Sequence, residues 1–230
     1  MPVALVTGGS AGLGRALTHA LAADGWRVVV DGRDASRLAE AADRPGVVAV
    51  AGDVTNEWHR AALLEAVERE GRLDLLVHNA SALGPTPLPR LDAATGDDLW
   101  RVWSTNVGAP LALTSDLLPA LVAARGIVLS VSSDAAVEHY PGWGLYGASK
   151  AGLDHLVLTF GAENPQIAAY AVDPGDMRTQ MHQDAFPGED ISDRPLPESV
   201  VPHLLALVAA RLPSGRYRAA DIAVPTTVGG

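Results

Sequence analysis

Val3-Ala4-Leu5-Val6-Thr7-Gly8-Gly9-Ser10-Ala11-Gly12-Leu13-Gly14 lies near the start of the chain, and its reading decides the fold. Val3–Val6 is a short apolar run that reads as a buried strand. A glycine-rich turn follows, then a stretch of helical spacing over Arg15–Asp24 that stops at Gly25. A glycine there suits the left-handed residue that closes a helix. Glycines let the chain turn sharply from strand to helix and let a phosphate come close, while the helix N-terminus offers free amides and a positive dipole end. The order strand, glycine turn, helix is the first unit of a dinucleotide-binding α/β domain. Gly8, Ser10, Gly12, Leu13 and Gly14 are the candidate contacts.

The same alternation runs outward from this unit. Val28–Val30, Val47–Val50, Leu73–Val77, Ile127–Val131 and Ile167–Val172 read as further strands. Their nearly continuous apolar character fits strands covered on both sides. Glu57–Glu70 reads as a helix, with Asn56 as its cap and Gly71 just past its end. Strands alternating with helices predict a doubly wound parallel sheet, a Rossmann-type α/β fold with helices on both faces. No linker divides residues 1–230, so one domain is expected. Pro/Gly clusters at Gly84–Pro89, Pro141–Gly144 and Pro187–Pro197 follow strands, where such sheets bind ligands. Residues 176–196 lack clear periodicity and read as a candidate substrate lid.

Composition narrows the function. The 17 basic and 27 acidic side chains leave a net charge of −10. That balance disfavours nucleic acid and anionic membrane as partners. The chain has no cysteine, which excludes disulfides, thiolate metal sites and cysteine nucleophiles. The histidines form no close pair at metal spacing, so no metal is expected. No apolar run approaches a membrane span and no signal peptide is evident, so a cytoplasmic protein is expected.

The sharpest chemical signal is Tyr146-Gly147-Ala148-Ser149-Lys150, which holds the chain's only lysine. Residues four apart share one face of a helix. A free phenol titrates near pH 10, and a neighbouring ammonium should lower that value, making the phenol a usable proton donor or acceptor for a carbonyl/alcohol pair. Ser133 ends the Leu129–Ser133 run thirteen residues before Tyr146. Ser132 is its competitor, and alternation points only one of the two into a shared pocket.

These residues, taken in order, resemble the short-chain dehydrogenase/reductase family over most of the chain. Thr7–Gly14 is similar to its cofactor fingerprint, and His78-Asn79-Ala80-Ser81 to its Asn-Asn-Ala-Gly run. His78 and Ser81 depart from that run. Asn106, Ser133, Tyr146 and Lys150 fall at the family's catalytic tetrad. The resemblance implies that Tyr146 donates the proton and Ser133 orients the substrate oxygen. Lys150 would assist Tyr146 and bind the ribose, Tyr146 would also contact the cofactor, and Asn106 would hold a relay water. It further implies that Asp53, with Val54, meets the adenine, that Asn79 and Ala80 flank the nicotinamide ribose, and that Pro174, Gly175 and Thr179 hold the nicotinamide amide. Gly142–Tyr146 and Tyr170–Met181 resemble sepiapterin and benzil reductases in particular.

Cofactor choice is read after the second strand, in Val30-Asp31-Gly32-Arg33-Asp34. An acid there bonds the ribose 2′-hydroxyl of NAD, whereas an arginine accommodates the 2′-phosphate of NADP. In family register Gly32 takes the acid's place and Arg33 follows, which favours NADPH; a shift of one residue would bring in Asp31 and favour NAD. Trp143, Met177 and Met181, with Tyr140 and Phe186, are candidate walls for an apolar substrate. The expected function is hydride transfer from NADPH to a ketone or aldehyde. The alternatives are an NAD-linked alcohol dehydrogenase and a non-catalytic dinucleotide-binding regulator. The family also implies a homodimer or homotetramer.

Overall fold

Period-two alternation in β1 (Val3–Val6) sets the layers. Ala4 and Val6 face one side of the sheet and Leu5 the other, and all three are fully buried. A computed structural model describes residues 1–225; residues 226–230 lie outside the described residues. The other strands are β2 (Arg27–Gly32), β3 (Val47–Ala51), β4 (Leu75–His78), β5 (Ile127–Val131), β6 (Ala168–Asp173) and β7 (Gly215–Arg218). All pair in parallel, in the order β3-β2-β1-β4-β5-β6-β7. This is the Rossmann-type sheet expected. Two strands begin later than their apolar runs: Leu73 and Ile167 are buried but precede the ladders of β4 and β6.

One face carries α1 (Gly12–Ala23) and α8 (Val201–Ala210), which bury Leu13, Leu17, Leu21, Leu204 and Leu207 against Ala4, Val6, Val28 and Val77. The other carries α3 (Glu57–Glu70), α5 (Ala109–Ala124) and α6 (Gly144–Glu163), which bury Leu63, Val67, Leu113, Leu117 and Val157 against Leu5, Val29 and Leu76. Helix α2 (Ala35–Ala42) links β2 to β3, α4 (Gly96–Trp103) precedes α5, and α7 (Gln180–Ala185) lies within 176–196, where no periodicity was expected. Asn56 does cap α3, accepting from the Trp58 and His59 amides.

Helix α4, a π-helical turn at Ser104–Gly108 and α5 join into one helix over Gly96–Ala124. An 18-residue window of it reaches a mean hydropathy of 1.5, enough by length and composition alone to cross a membrane. Leu113, Leu117 and Leu121 nevertheless belong to the core, which accounts for the apolar stripe. Pro110 offers no N–H to the carbonyl of Asn106, and the π turn falls at that point. The chain runs from the β3 edge back to β4, so strand order reverses between β1 and β4. The carboxyl ends of those strands open the crevice described next.

Candidate active site

A cavity of about 660 Å³ opens at the carboxyl ends of β1, β4, β5 and β6. At its nucleotide end, α1 starts without a side-chain cap and without an acid in its first turn. Its leading amides therefore have no side-chain partner. Ser10, Gly12 and Leu13 line the wall there, with Gly12 at φ +53°. Gly8 is also on the wall, and a side chain on it would come 2.9 Å from the Ala80 backbone. Asn79 staples β4 to this turn by donating from Nδ2 to the carbonyls of Thr7 and Gly8, at 2.9 and 3.0 Å. Gly14 corrects the sequence expectation: it lies behind the wall, where a Cβ would approach Asn79 and the Gly8 carbonyl, so its role is close packing.

Gly32 and Arg33 continue this wall from β2. A side chain at 32 would meet Ser10 at 2.9 Å, so an acid at this position would displace that serine. Asp31 is turned inward and is 2% exposed. It accepts the Gly8 amide at 2.6 Å and His59 Nε2 at 3.1 Å. Asp53 and Val54 line the cavity beyond it. Burial favours protonation of Asp53, but bonds from the Thr55 amide and hydroxyl, with Arg33 and His59 nearby, outweigh it and hold the carboxyl below its ordinary range.

At the other end α6 carries Tyr146 and Lys150 onto the wall. The helix approaches closely because position 147 is glycine; a Cβ there would press on the Ala135 carbonyl. Lys150 Nζ lies 5.5 Å from the Tyr146 ring centre and donates to the Val131 carbonyl at 2.8 Å. The expected lowering of the phenol by the ammonium is not what this geometry gives. Burial pushes Tyr146 well above its usual range, more than the nearby Ser81 hydroxyl offsets. Burial also pulls Lys150 down to about 8 against the opposing pull of Asp154.

Ser133 lines the cavity, and its hydroxyl accepts the Ala135 amide and donates to Asp134. The Ser132 hydroxyl instead donates to Asp154 at 2.7 Å. Asn106 departs from its expected place: it is fully buried behind the cavity. Its Oδ1 accepts from Ala82 and Ser81, and its Nδ2 donates to the Ala82 carbonyl and Ser149. That uses every bond its side chain can make, so any relay water must take its main-chain carbonyl. Ser81 is the departure that matters most, because its hydroxyl lies between Asn106 and Tyr146 on the wall.

Sequence reasoning missed two charged partners. Asp154 lies four residues after Lys150 on the same helix, so spacing alone could have found it. Arg216 reaches in from β7 to Asp154 at 3.2 Å and to the Ser133 carbonyl at 2.8 Å; no local signal marks it. Burial raises Asp154 despite Ser132 and Arg216. His78 is also buried, 2.7 Å from the Thr114 hydroxyl, and desolvation lowers it to about 3.

Aromatic and thioether side chains gather around Tyr146. Trp143 meets the Tyr146 ring edge-on at 5.6 Å and Phe186 at 5.8 Å. Met177 and Met181 complete an apolar side, and Pro174, Gly175 and Thr179 lie between it and the glycine turn. Thr179 also caps α7. Tyr140 donates to Asp134 at 2.9 Å at the mouth, whereas His139 is exposed and off the wall.

Residues 2–190 match the family model described as short chain dehydrogenase. The chain is 36% identical over 216 residues to a cis-2,3-dihydrobiphenyl-2,3-diol dehydrogenase of Pseudomonas sp. (strain KKS102), covering 87% of this chain and 77% of the relative. It is 33% identical over 199 residues to sepiapterin reductase of Mus musculus, covering 79% and 76%. A short chain dehydrogenase structure from Escherichia coli CFT073, complexed with NADPH, superposes with a TM-score of 0.87 at 27% identity, covering 95% of this chain and 96% of that one. The chain is thus an oxidoreductase that belongs to the short-chain dehydrogenase/reductase family.

Proposed function

We propose that this chain is an NADPH-dependent carbonyl reductase for ketones or aldehydes with apolar, aromatic substituents. The observation that carries the reading is the buried Tyr146–Lys150 pair beside Ser133 on the wall of a cleft that starts at an uncapped helix. The residues present fit the cofactor: free amides and Gly12 suit a pyrophosphate, and Arg33 beside side-chain-free Gly32 suits a 2′-phosphate. Asp53 and Val54 would hold the adenine. Asn79 and Ala80 would flank the nicotinamide ribose, and Pro174, Gly175 and Thr179 the carboxamide. When bound, reduced nicotinamide supplies the hydride.

The chain's own residues supply the rest. Ser133 hydrogen-bonds the substrate oxygen, and Tyr146 protonates that oxygen. Burial keeps the phenol protonated and ready to donate. Lys150 supplies positive charge that favours the phenolate left behind. Asn106 acts at one remove, by fixing the Ala82 backbone and the Ser149 hydroxyl, which in turn donates to the Tyr146 carbonyl. Residues 176–196 act as a lid, supported by Met177, Met181 and Phe186 on its cleft side. Exposed Trp100, Leu99 and Leu111 on α4 and α5 support a second copy of the chain as partner.

The test is NADPH oxidation with a panel of aromatic aldehydes and 1,2-diketones, repeated with NADH. Turnover that prefers NADPH is expected. A clear NADH preference supports the oxidative alcohol dehydrogenase instead, and tight cofactor binding with no turnover of any carbonyl supports the non-catalytic regulator.

A further inference from the structure

We propose that His59 sets the cofactor preference of this chain by binding the Asp31 carboxylate, so that a 2′-phosphorylated nucleotide is accepted beside it. The inference rests on the NADPH reading above and names a residue outside the nucleotide contacts assigned there.

Asp31 presents a difficulty for that reading. It is the penultimate residue of β2 and part of the cavity wall, next to Gly32 and Arg33. An acid at this end of the second strand ordinarily bonds a ribose hydroxyl and repels a phosphate. Here each carboxylate oxygen has a donor inside the protein: the Gly8 amide on Oδ1 and His59 Nε2 on Oδ2. A carboxylate only accepts, so Nε2 is the protonated ring nitrogen. The pair is buried, with side chains 7% and 2% exposed. The histidine N–H therefore binds the acid on the protein side and disperses its charge.

Room for the ring comes from Gly52 at the end of β3. A Cβ there would lie 2.2 Å from His59 Nδ1. Gly32 makes the matching space for Ser10. Two small residues and one histidine thus convert a wall that contains an acid into one that presents Arg33. Without His59, the carboxylate keeps one amide donor and faces an incoming phosphate with its charge less opposed.

The test is calorimetric titration of the wild-type protein and of His59→Leu, His59→Gln, Gly52→Ala and Asp31→Asn/His59→Leu. The ligands are NADPH, NADH, 2′-phospho-ADP-ribose and ADP-ribose; the last two bind without any redox step. His59→Leu is expected to weaken both 2′-phosphorylated ligands by about tenfold, the scale of one poorly compensated charge nearby. The unphosphorylated ligands should stay within about threefold. Gly52→Ala, which displaces the ring, should follow in the same direction, and His59→Gln, which keeps an N–H donor, should stay near wild type. The double variant removes the charge along with the donor and should recover the preference. Equal weakening of all four ligands, or none, overturns the inference and leaves the NADPH reading standing. Should His59→Leu fail to fold, Gly52→Ala carries the same two outcomes. Wild-type protein that binds ADP-ribose more tightly than its 2′-phosphate overturns the NADPH reading itself, and the inference with it.

Discussion

Asp31 and Asp154 are buried beneath opposite ends of the cleft, 2% and 7% exposed. At the nucleotide end, both oxygens of Asp31 are bonded, to a backbone amide and to a histidine. At the reacting end, Asp154 Oδ2 takes Ser132 and Arg216, while Oδ1 has no partner among the described residues. Burial pushes that carboxyl up and pulls the neighbouring Lys150 down to about 8. The nucleotide end is held by satisfied polar contacts, as a surface that must match a fixed ligand should be. The reacting end keeps groups whose charge is easily changed, as proton transfer requires.

Three probes test this contrast, in order of expected effect. Asp31→Ala leaves the Gly8 amide and His59 without their acceptor. It should lower stability by about 2–5 kcal/mol in chemical denaturation, since each unsatisfied buried donor costs about 1–3 kcal/mol. Asp154→Ala also orphans two donors, Ser132 and Arg216, but Arg216 keeps the Ser133 carbonyl and the unpartnered Oδ1 is removed with the carboxyl, so the cost should be smaller, about 1–2 kcal/mol. The reverse ranking breaks the contrast.

His78, on the strand between the two ends, supplies the second probe. Its folded value of about 3 lies below the unfolded 6.5. The unfolded chain therefore binds the extra proton first, so stability is fully present above about pH 6.5 and is lost as pH falls toward 3. The slope should approach about 1.4 kcal/mol per pH unit. His78→Asn should flatten the denaturation midpoint across that window; an unchanged slope assigns acid sensitivity to other groups.

The third probe is Asp154→Asn. The Lys150 ammonium is lost as pH rises through about 8, and Asp154 opposes that loss. Removing the negative charge should move the high-pH fall in turnover to lower pH, lowering the rate by a factor of about three near that limb. An unmoved limb removes Asp154 from the proton-transfer machinery.

What could be read from the sequence was local. The β1 turn and α1 are legible because β-branched runs and glycines act within a few residues, and the Tyr146–Lys150 spacing states their common face directly. Alternation does not fully separate the neighbours: Ser132 and Ser133 both reach the cleft wall, with the Ser132 hydroxyl bonded to Asp154. The His59–Asp31 and Arg216–Asp154 contacts span 28 and 62 residues and exist only through sheet order. The phenol was misjudged for a related reason. The neighbouring charge shows in the spacing, whereas burial, the larger influence on Tyr146, is a property of packing. Gly14 and Asn106 look like ligand contacts in a motif, yet close packing and a saturated amide place them behind the wall.

The most direct measurement is turnover and NADPH affinity of Tyr146→Phe against wild type with one aromatic carbonyl substrate. A rate loss of about 10²–10⁴-fold is expected, with NADPH affinity within about threefold of wild type. A variant that reduces the substrate within tenfold of the wild-type rate contradicts proton donation by Tyr146.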